Sequence, residues 1–295
     1  MRHLRDNISG IRRMRPWLGT FVDVAVEGAT DSLEPAVEAA FAALARVHDL
    51  MSFHAPESDV SRINRAGQGE VITIDPQTYD VLYFARHVAD LSGGQFDVTI
   101  APVLVDRGLL PDHGHPVPSK VNYDDLDLLP GCRTRWRCKG AIDLGGVAKG
   151  YAVDCAIAAL RNAGLESGLV NAGGDMRCFG KPQPIHVRDP GEPARLIPLG
   201  FIDDCAIATS AGYFSAGSAD ALVDPRRGAC ESWQGSISVL ASDCMTADAL
   251  TKVVRLAPER VPALVSEFDA QALVIDQEGW RSCGEPRLRQ SPWPS

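Results

Sequence analysis

Between residues 34 and 51 apolar side chains recur every third or fourth position, and Val37, Phe41, Leu44, Val47 and Met51 share one helical face. Residues 78–91 repeat the pattern with Val81, Leu82, Ala85, Val88 and Leu91, and Gly93-Gly94 supplies the stop. Further helices are predicted over 147–163, which is rich in alanine, and over 246–256 and 259–268. In residues 18–27, LGTFVDVAVE, the period shortens to two, which predicts a strand. Short strands are predicted near 168–171, 185–188, 196–201, 205–209 and 236–241, and residues 271–283 read as a hairpin turning at Glu278-Gly279. Residues 52–64 form a polar turn region that enters a short helix, and 106–135, rich in Pro, Asp and His, read as an irregular excursion, either a lid or decoration. Strands and helices mix without strict βαβ alternation, so the expected class is α+β. One large domain is expected over 17–285, between a flexible N-terminal segment 1–16 and a loose tail 286–295.

Composition removes several function classes. A chain of 295 residues can bury a sizeable core in one large domain or two modest ones. The net charge of -9 argues against a nucleic-acid partner, which would ask for a basic face. No run of 18 apolar residues occurs, so no membrane span is expected. The N-terminal arginines are not followed by an apolar stretch, and Arg12-Arg13 leads into Met14, Arg15, Pro16 and a strand-like run rather than an export signal. The expected location is cytoplasmic, or periplasmic if a leader has been removed. The cysteines form no CxxC pair and no zinc spacing, so they read as buried free thiols.

Candidate chemistry gathers in short glycine- and aspartate-rich stretches. AIDLGGVAKGYAVD, 141–154, passes from a strand end at 140–144 through Gly145-Gly146 into a helix. A helix start exposes free N–H groups, glycines let a phosphate or metal approach the backbone, and Lys149 adds positive charge. The stretch is neither GxxxxGK[ST] nor GxGxxG, and a plain packing turn reads equally well. LVNAGGDMR, 169–177, reads as a tight turn flanked by Asn171 and Asp175. SDCMTADALTK, 242–252, puts Asp248, Thr251 and Lys252 on one helical face. Asp and Thr oxygens so placed suit a hard cation such as Mg²⁺, while an acidic residue in a first helical turn is the alternative.

In their order along the chain, LGTFVDV, MSFHAPESDVSRIN, LSGGQFDVTIAPVL, IDLGGVAKGYAVD, LVNAGGDMR, ATSAGYF, VDPRRG and ADALTK resemble the ApbE family, the FAD:protein FMN transferases. The resemblance runs from about residue 17 to about 270. It implies an α+β fold around one FAD cleft. It also implies an enzyme that cleaves the FAD pyrophosphate with Mg²⁺, passes FMN to a Ser or Thr hydroxyl of an acceptor flavoprotein and releases AMP. Carried over by position, Leu18, His54, Gln95, Phe96, Asp97, Asp143 and Lys149 would line the FAD site. The Gly146 carbonyl would face the metal and Asp248 would be its carboxylate ligand.

Two departures qualify that picture. Many members carry a histidine three residues before the Asp-Pro, a candidate base; here Ala221 stands there, preceded by Asp220. Losing a general base costs about 10²- to 10⁴-fold, and Asp220 is the candidate replacement, with His54 and His186 not placed there by the sequence. At the metal, the family's Thr four residues after the Asp is replaced by Lys252, with Thr251 one position earlier. An ammonium there would repel the cation or replace it as counter-charge to the pyrophosphate. The expectation is a weakened metal held by Asp248 and Thr251 side chains. Three functions follow: a working FMN transferase, an FAD-binding protein with little or no transfer, and a non-enzymatic assembly factor for a redox complex.

Overall fold

A computed structural model describes residues 8–114, 121–211, 222–228 and 233–289. The chain begins with a hairpin of β1 (Ile8–Trp17) and β2 (Thr20–Ala29), followed by α1 (Thr30–Met51), α2 (Asp59–Arg65), β3 (Val71–Thr73), α3 (Pro76–Ser92) and α4 (Ala101–Asp106). Next come β4 (Leu126–Leu129), β5 (Arg133–Trp136), α5 (Ala148–Asn162), β6 (Ser167–Ala172), β7 (Asp175–Phe179), β8 (Gln183–Arg188), β9 (Leu196–Ile202) and β10 (Ala206–Ala211). β11 (Gly235–Ala241), α6 (Cys244–Leu256), α7 (Val261–Glu267), β12 (Gln271–Asp276) and β13 (Gly279–Cys283) complete it.

Alternation along the strands builds two cores on one sheet. Eight strands pair antiparallel in the order β1-β2-β6-β7-β10-β11-β12-β13. Val22, Val24 and Val26 of β2 and Ala206 and Ala208 of β10 face a helical layer that includes Val37, Phe41 and Leu44 of α1 and Ala152, Ala156 and Leu160 of α5. The intervening Ile207 and Leu240 of the opposite face join Cys178, Ile185, Ile202 and Cys205 in a smaller core under the β8–β9 hairpin. β3, β5 and β4 form a third, separate sheet. Local chemistry sets both ends of α3: Asp75 accepts the Gln77 N–H at 2.9 Å ahead of Pro76, two residues before the predicted start, and Gly93 ends the helix, as the sequence indicated, with φ of 64°.

Three expectations change. The segment 1–16 was expected to be loose, but Ile8–Trp17 pairs along the whole of β2. It is an edge strand held partly by charge, with Arg13 on Glu34 at 3.0 Å, Arg15 on Glu38 and Arg12 on Asp23, so it shows little hydrophobic alternation. Within 106–135, β4 and β5 pair into the three-stranded sheet, and Trp136 is fully enclosed with its indole N–H on the Ile63 carbonyl at 3.0 Å. Strands of four residues are too short to declare a period. The tail is tied as far as Arg289, whose backbone exchanges two 2.9 Å hydrogen bonds with Phe201. The described cysteines are free thiols; Cys178, Cys205 and Cys244 are buried and Cys138 is exposed.

Candidate functional site

A cleft of about 1030 Å³ opens where the β1–β2 turn, the loop after α3, the start of α5, the β6–β7 turn and α6 converge. The β1–β2 register pairs Trp17 with Thr20, leaving Leu18-Gly19 as a two-residue loop with φ of 55° and 73°. That is the primed hairpin geometry, which asks for Asn or Gly at its first position. A leucine held there stores strain of about 1–3 kcal/mol, the kind tolerated at ligand sites. The β6–β7 turn is built the same way from Gly173 and Gly174, and Asn171 accepts the Gly174 N–H at 3.0 Å.

After α3, Ser92 accepts the Phe96 N–H at 3.0 Å and turns Gln95 and Phe96 into the cleft wall. Asp97 is committed to the scaffold: one oxygen accepts the Thr99 N–H and hydroxyl at 2.8 and 2.7 Å, and the other accepts the Tyr123 N–H at 3.1 Å. Burial raises its pKa against the pull of those bonds. Gln95 differs. Its Oε1 is buried in the cleft wall with no hydrogen-bond partner among the described residues.

The strand end expected at 140–144 is not part of a sheet. Asn64 replaces a neighbouring strand: its amide donates to the Ile142 carbonyl at 2.9 Å and accepts the Ile142 N–H at 2.7 Å. The Asp143 N–H then donates to Val98 at 2.8 Å, which fixes Asp143 on the cleft floor. Gly145 donates to the Asp143 carboxylate at 3.0 Å, and a Cβ on Gly145 would lie 2.9 Å from that oxygen. Asp143 is partly reached by water yet deep in a concavity, and burial raises its pKa, with the Gly145 bond opposing.

The raised Asp143 gives a pH-dependent prediction. A raised pKa means that at neutral pH the carboxyl costs the folded state stability that the unfolded chain does not lose, because burial opposes its ionisation. Below the ordinary carboxylate pKa of about 4 both states are protonated and the penalty vanishes. Asp143→Asn is therefore expected to raise the melting temperature of the ligand-free protein at neutral pH, and the gain should shrink as the pH falls towards about 4. Thermal melts at several pH values check this; a gain that grows with acid would contradict it.

Below the floor, α5 and α6 cap each other. No side chain of its own caps α5, and Asp248 Oδ2 of α6 accepts the Gly150 N–H in its first turn at 3.1 Å. In return Asp154 of α5 accepts the first N–H groups of α6, from Cys244 at 2.9 Å and Met245 at 2.8 Å. Lys149 pairs with Asp175 at the start of β7. Burial alone would lower the Lys149 pKa, but Asp175 and Asp248 outweigh it and the ammonium is held protonated. Asp175 moves up, chiefly from burial and then from neighbouring Asp248. Lys252 binds Asp248 twice, at Oδ1 and at the main-chain oxygen at 2.9 Å. Thr251 donates its hydroxyl to that same oxygen at 2.7 Å.

Of the residues singled out in the sequence, Leu18, His54, Gln95, Phe96, Asp97, Asp143, Gly146 and Lys149 all line the cleft. Asp248 and Thr251 do not; they are buried beneath it, 0% and 1% exposed. Asp220 and Ala221 lie outside the described residues. A divalent cation does not fit the expected set. The Asp248 oxygens are taken by Gly150 and Lys252, and the Thr251 hydroxyl is turned onto its own helix. His186, which the sequence named without placing, enters the wall from β8. Sequence reasoning missed its neighbour Arg188 there, and Asn64, whose spacing from Ile142 in the chain gave no sign of their pairing.

A model of the ApbE family matches residues 18–274. An FAD:protein FMN transferase of Vibrio cholerae is 28% identical over 256 residues, covering 79% of this chain and 76% of that protein. One from Klebsiella pneumoniae is 26% identical over 273 residues, covering 85% and 86%. The solved flavin transferase ApbE from Vibrio cholerae matches with a TM-score of 0.81 at 24% identity, over 95% of this chain and 98% of that one. The ApbE protein from Thermotoga maritima matches at 0.80 with 25% identity, over 93% and 97%. The matched span of 18–274 takes in every part of the cleft described above, and the chain belongs to the ApbE family.

Proposed function

We propose that this protein is an FAD:protein FMN transferase. The observation that carries the reading is the cleft itself: a large concavity with an acceptor at Gln95 that has no partner among the described residues, and the ammoniums of Lys149 and Lys252 beside the start of α5. Its volume of about 1030 Å³ lies just above the usual range of about 300–1,000 Å³ for ligand sites, room enough for a dinucleotide. A flavin ring carries an imide N–H that would satisfy Gln95, and a pyrophosphate is the anion that a helix start with two lysines favours. Relatives that align over most of this chain are named for the same transfer.

The reaction joins the hydroxyl oxygen of an acceptor Ser or Thr to the FMN phosphorus. The bond from that phosphorus to the bridging pyrophosphate oxygen breaks, AMP leaves, and the hydroxyl proton passes to a base. Phosphoryl transfer asks the protein mainly for position and charge neutralisation. In this reading Leu18, His54, Gln95, Phe96, Asp97 and Asp143 line the flavin dinucleotide's site, and Lys149 faces its phosphates. Asp220 is the base in place of the family's histidine.

Intact-mass spectrometry tests the reading. An acceptor flavoprotein bearing a flavinylation motif, incubated with this protein and FAD, is expected to gain the mass of one FMN while AMP accumulates. FAD binding by fluorescence with no mass gain on any acceptor would favour a flavin-binding protein that does not transfer. No flavin binding would sink both readings.

A further inference from the structure

We propose that Lys252 is the resident cation of this cleft. Its ammonium takes the place beside Asp248 that a divalent ion would need, and it serves as the counter-charge for a bound pyrophosphate without metal. The pyrophosphate part rests on the proposed function; the cation part stands on the geometry alone.

Lys252 lies one helical turn beyond Asp248, and its side chain folds back over that residue. The ammonium bonds both the carboxylate and the main-chain oxygen of Asp248. The donors around Asp248 leave little for a metal. Oδ2 accepts from Gly150, Oδ1 accepts from Lys252, and the main-chain oxygen accepts from Lys252 and Thr251. A carbonyl oxygen has two lone pairs, so that last acceptor is filled.

The path of the side chain supports the same assignment. Lys252 Cε lies 3.7 Å from the point where a Gly146 Cβ would stand, so the lysine stem runs past the bare backbone ahead of α5. It reaches the cleft, where its side chain is 21% exposed. An ammonium has three donors, and Asp248 takes two. Among the described residues no other acceptor bonds the third, which is available to an anionic oxygen in the cleft.

The charges also balance without a metal. Asp175 and Asp248 are the carboxylates of this cluster, and Lys149 and Lys252 are its ammoniums. The cluster is neutral as it stands, so by itself it offers a dication no net negative charge. A threonine at position 252 would remove one positive charge and supply an oxygen one turn from Asp248. That exchange converts an internal cation into a site for an external one.

Paramagnetic resonance with Mn²⁺ on the full chain tests this, alongside FAD titrations followed by flavin fluorescence in EDTA and in Mg²⁺. The wild type is expected to leave Mn²⁺ free at millimolar concentration, and Lys252→Thr to bind it. The wild-type affinity for FAD should differ by less than about twofold between EDTA and Mg²⁺. That of Lys252→Thr should fall about tenfold in EDTA and return with Mg²⁺, an ordinary coupling between two ligands. Lys252→Arg keeps the charge and should behave as the wild type, which separates loss of the cation from loss of fold. Tight Mn²⁺ binding by the wild type, or no binding by a folded Lys252→Thr, would overturn the proposal. If FAD binds to none of the proteins, the transferase reading fails, and the Mn²⁺ comparison still decides the role of Lys252.

Discussion

Gly150→Ala is expected to destabilise the protein by about 3–5 kcal/mol, combining overpacking with the loss of helix caps. Helix propensity alone predicts the opposite, a gain of about 1 kcal/mol for alanine over glycine. The sign is reversed by what stands opposite. A Cβ on Gly150 would lie 2.2 Å from the Cys244 carbonyl oxygen, 2.6 Å from the Cys244 carbonyl carbon and 2.9 Å from Asp248 Cβ. None of these is the end of a flexible side chain. To make room, the first turns of α5 and α6 would have to separate, breaking the Asp248 bond to Gly150 and stretching those from Asp154 to Cys244 and Met245. The same movement carries Lys149 away from Asp175, so a folded remnant should also lose affinity for FAD. Urea denaturation of the ligand-free chain checks the first effect. A stability equal to or above the wild type would mean that the two helices do not meet at this point.

The glycines of GGVAKG show how far the sequence could be read. The stretch announces a strand-to-helix passage with positive charge near a helix start, and the helix does begin at Ala148. The three glycines look alike in the sequence and serve different ends. Gly145 leaves space for the Asp143 carboxylate, while Gly150 lets two helices touch. A Cβ on Gly146 would be in ordinary contact with Phe96 and Lys252 at 3.6 and 3.7 Å, so its described neighbours do not require it to be bare.

Amphipathic elements were legible for a simple reason. The faces of α1 and α3 repeat over several turns, and the Gly93 stop marks the end of α3 in the sequence itself. Asn64 pairing with Ile142, Trp136 donating to Ile63 and the edge strand of Arg12, Arg13 and Arg15 were not legible. Each depends on a partner well separated along the chain, and polar pairing leaves no periodic trace. The cleft residues were found because eight short motifs kept their order. What those motifs could not tell was which side chains had already spent their hydrogen bonds on one another. Asp248 was read as a metal ligand, and its oxygens hold α5, Lys252 and Thr251 instead.

Asp248→Ala is expected to cost about 3–5 kcal/mol, the usual result of leaving one member of a buried ion pair without its partner. Asp248 is 0% exposed, and its removal strands the Gly150 N–H and leaves Lys149 and Lys252 sharing Asp175 as the one carboxylate of the cluster. If the loss is chiefly electrostatic, it should be recovered by removing the ammonium as well. Asp248→Leu with Lys252→Met replaces the pair by apolar side chains of similar volume. Such replacements are often neutral or stabilising by about 1–4 kcal/mol. Each single variant should therefore be less stable than the double, with a coupling of about 0.5–3 kcal/mol between the two positions. The double variant should nonetheless bind FAD worse than the wild type, because the counter-charge in the cleft has gone with Lys252. Denaturation curves for the four proteins measure the coupling, and flavin titrations on the same samples measure the binding. Additive losses would show that the two side chains act independently, and the assignment of Lys252 as the partner of Asp248 would have to be abandoned. Stability recovered together with undiminished FAD affinity would place the pair in the scaffold and leave charge neutralisation at the phosphates to Lys149 and the first amides of α5.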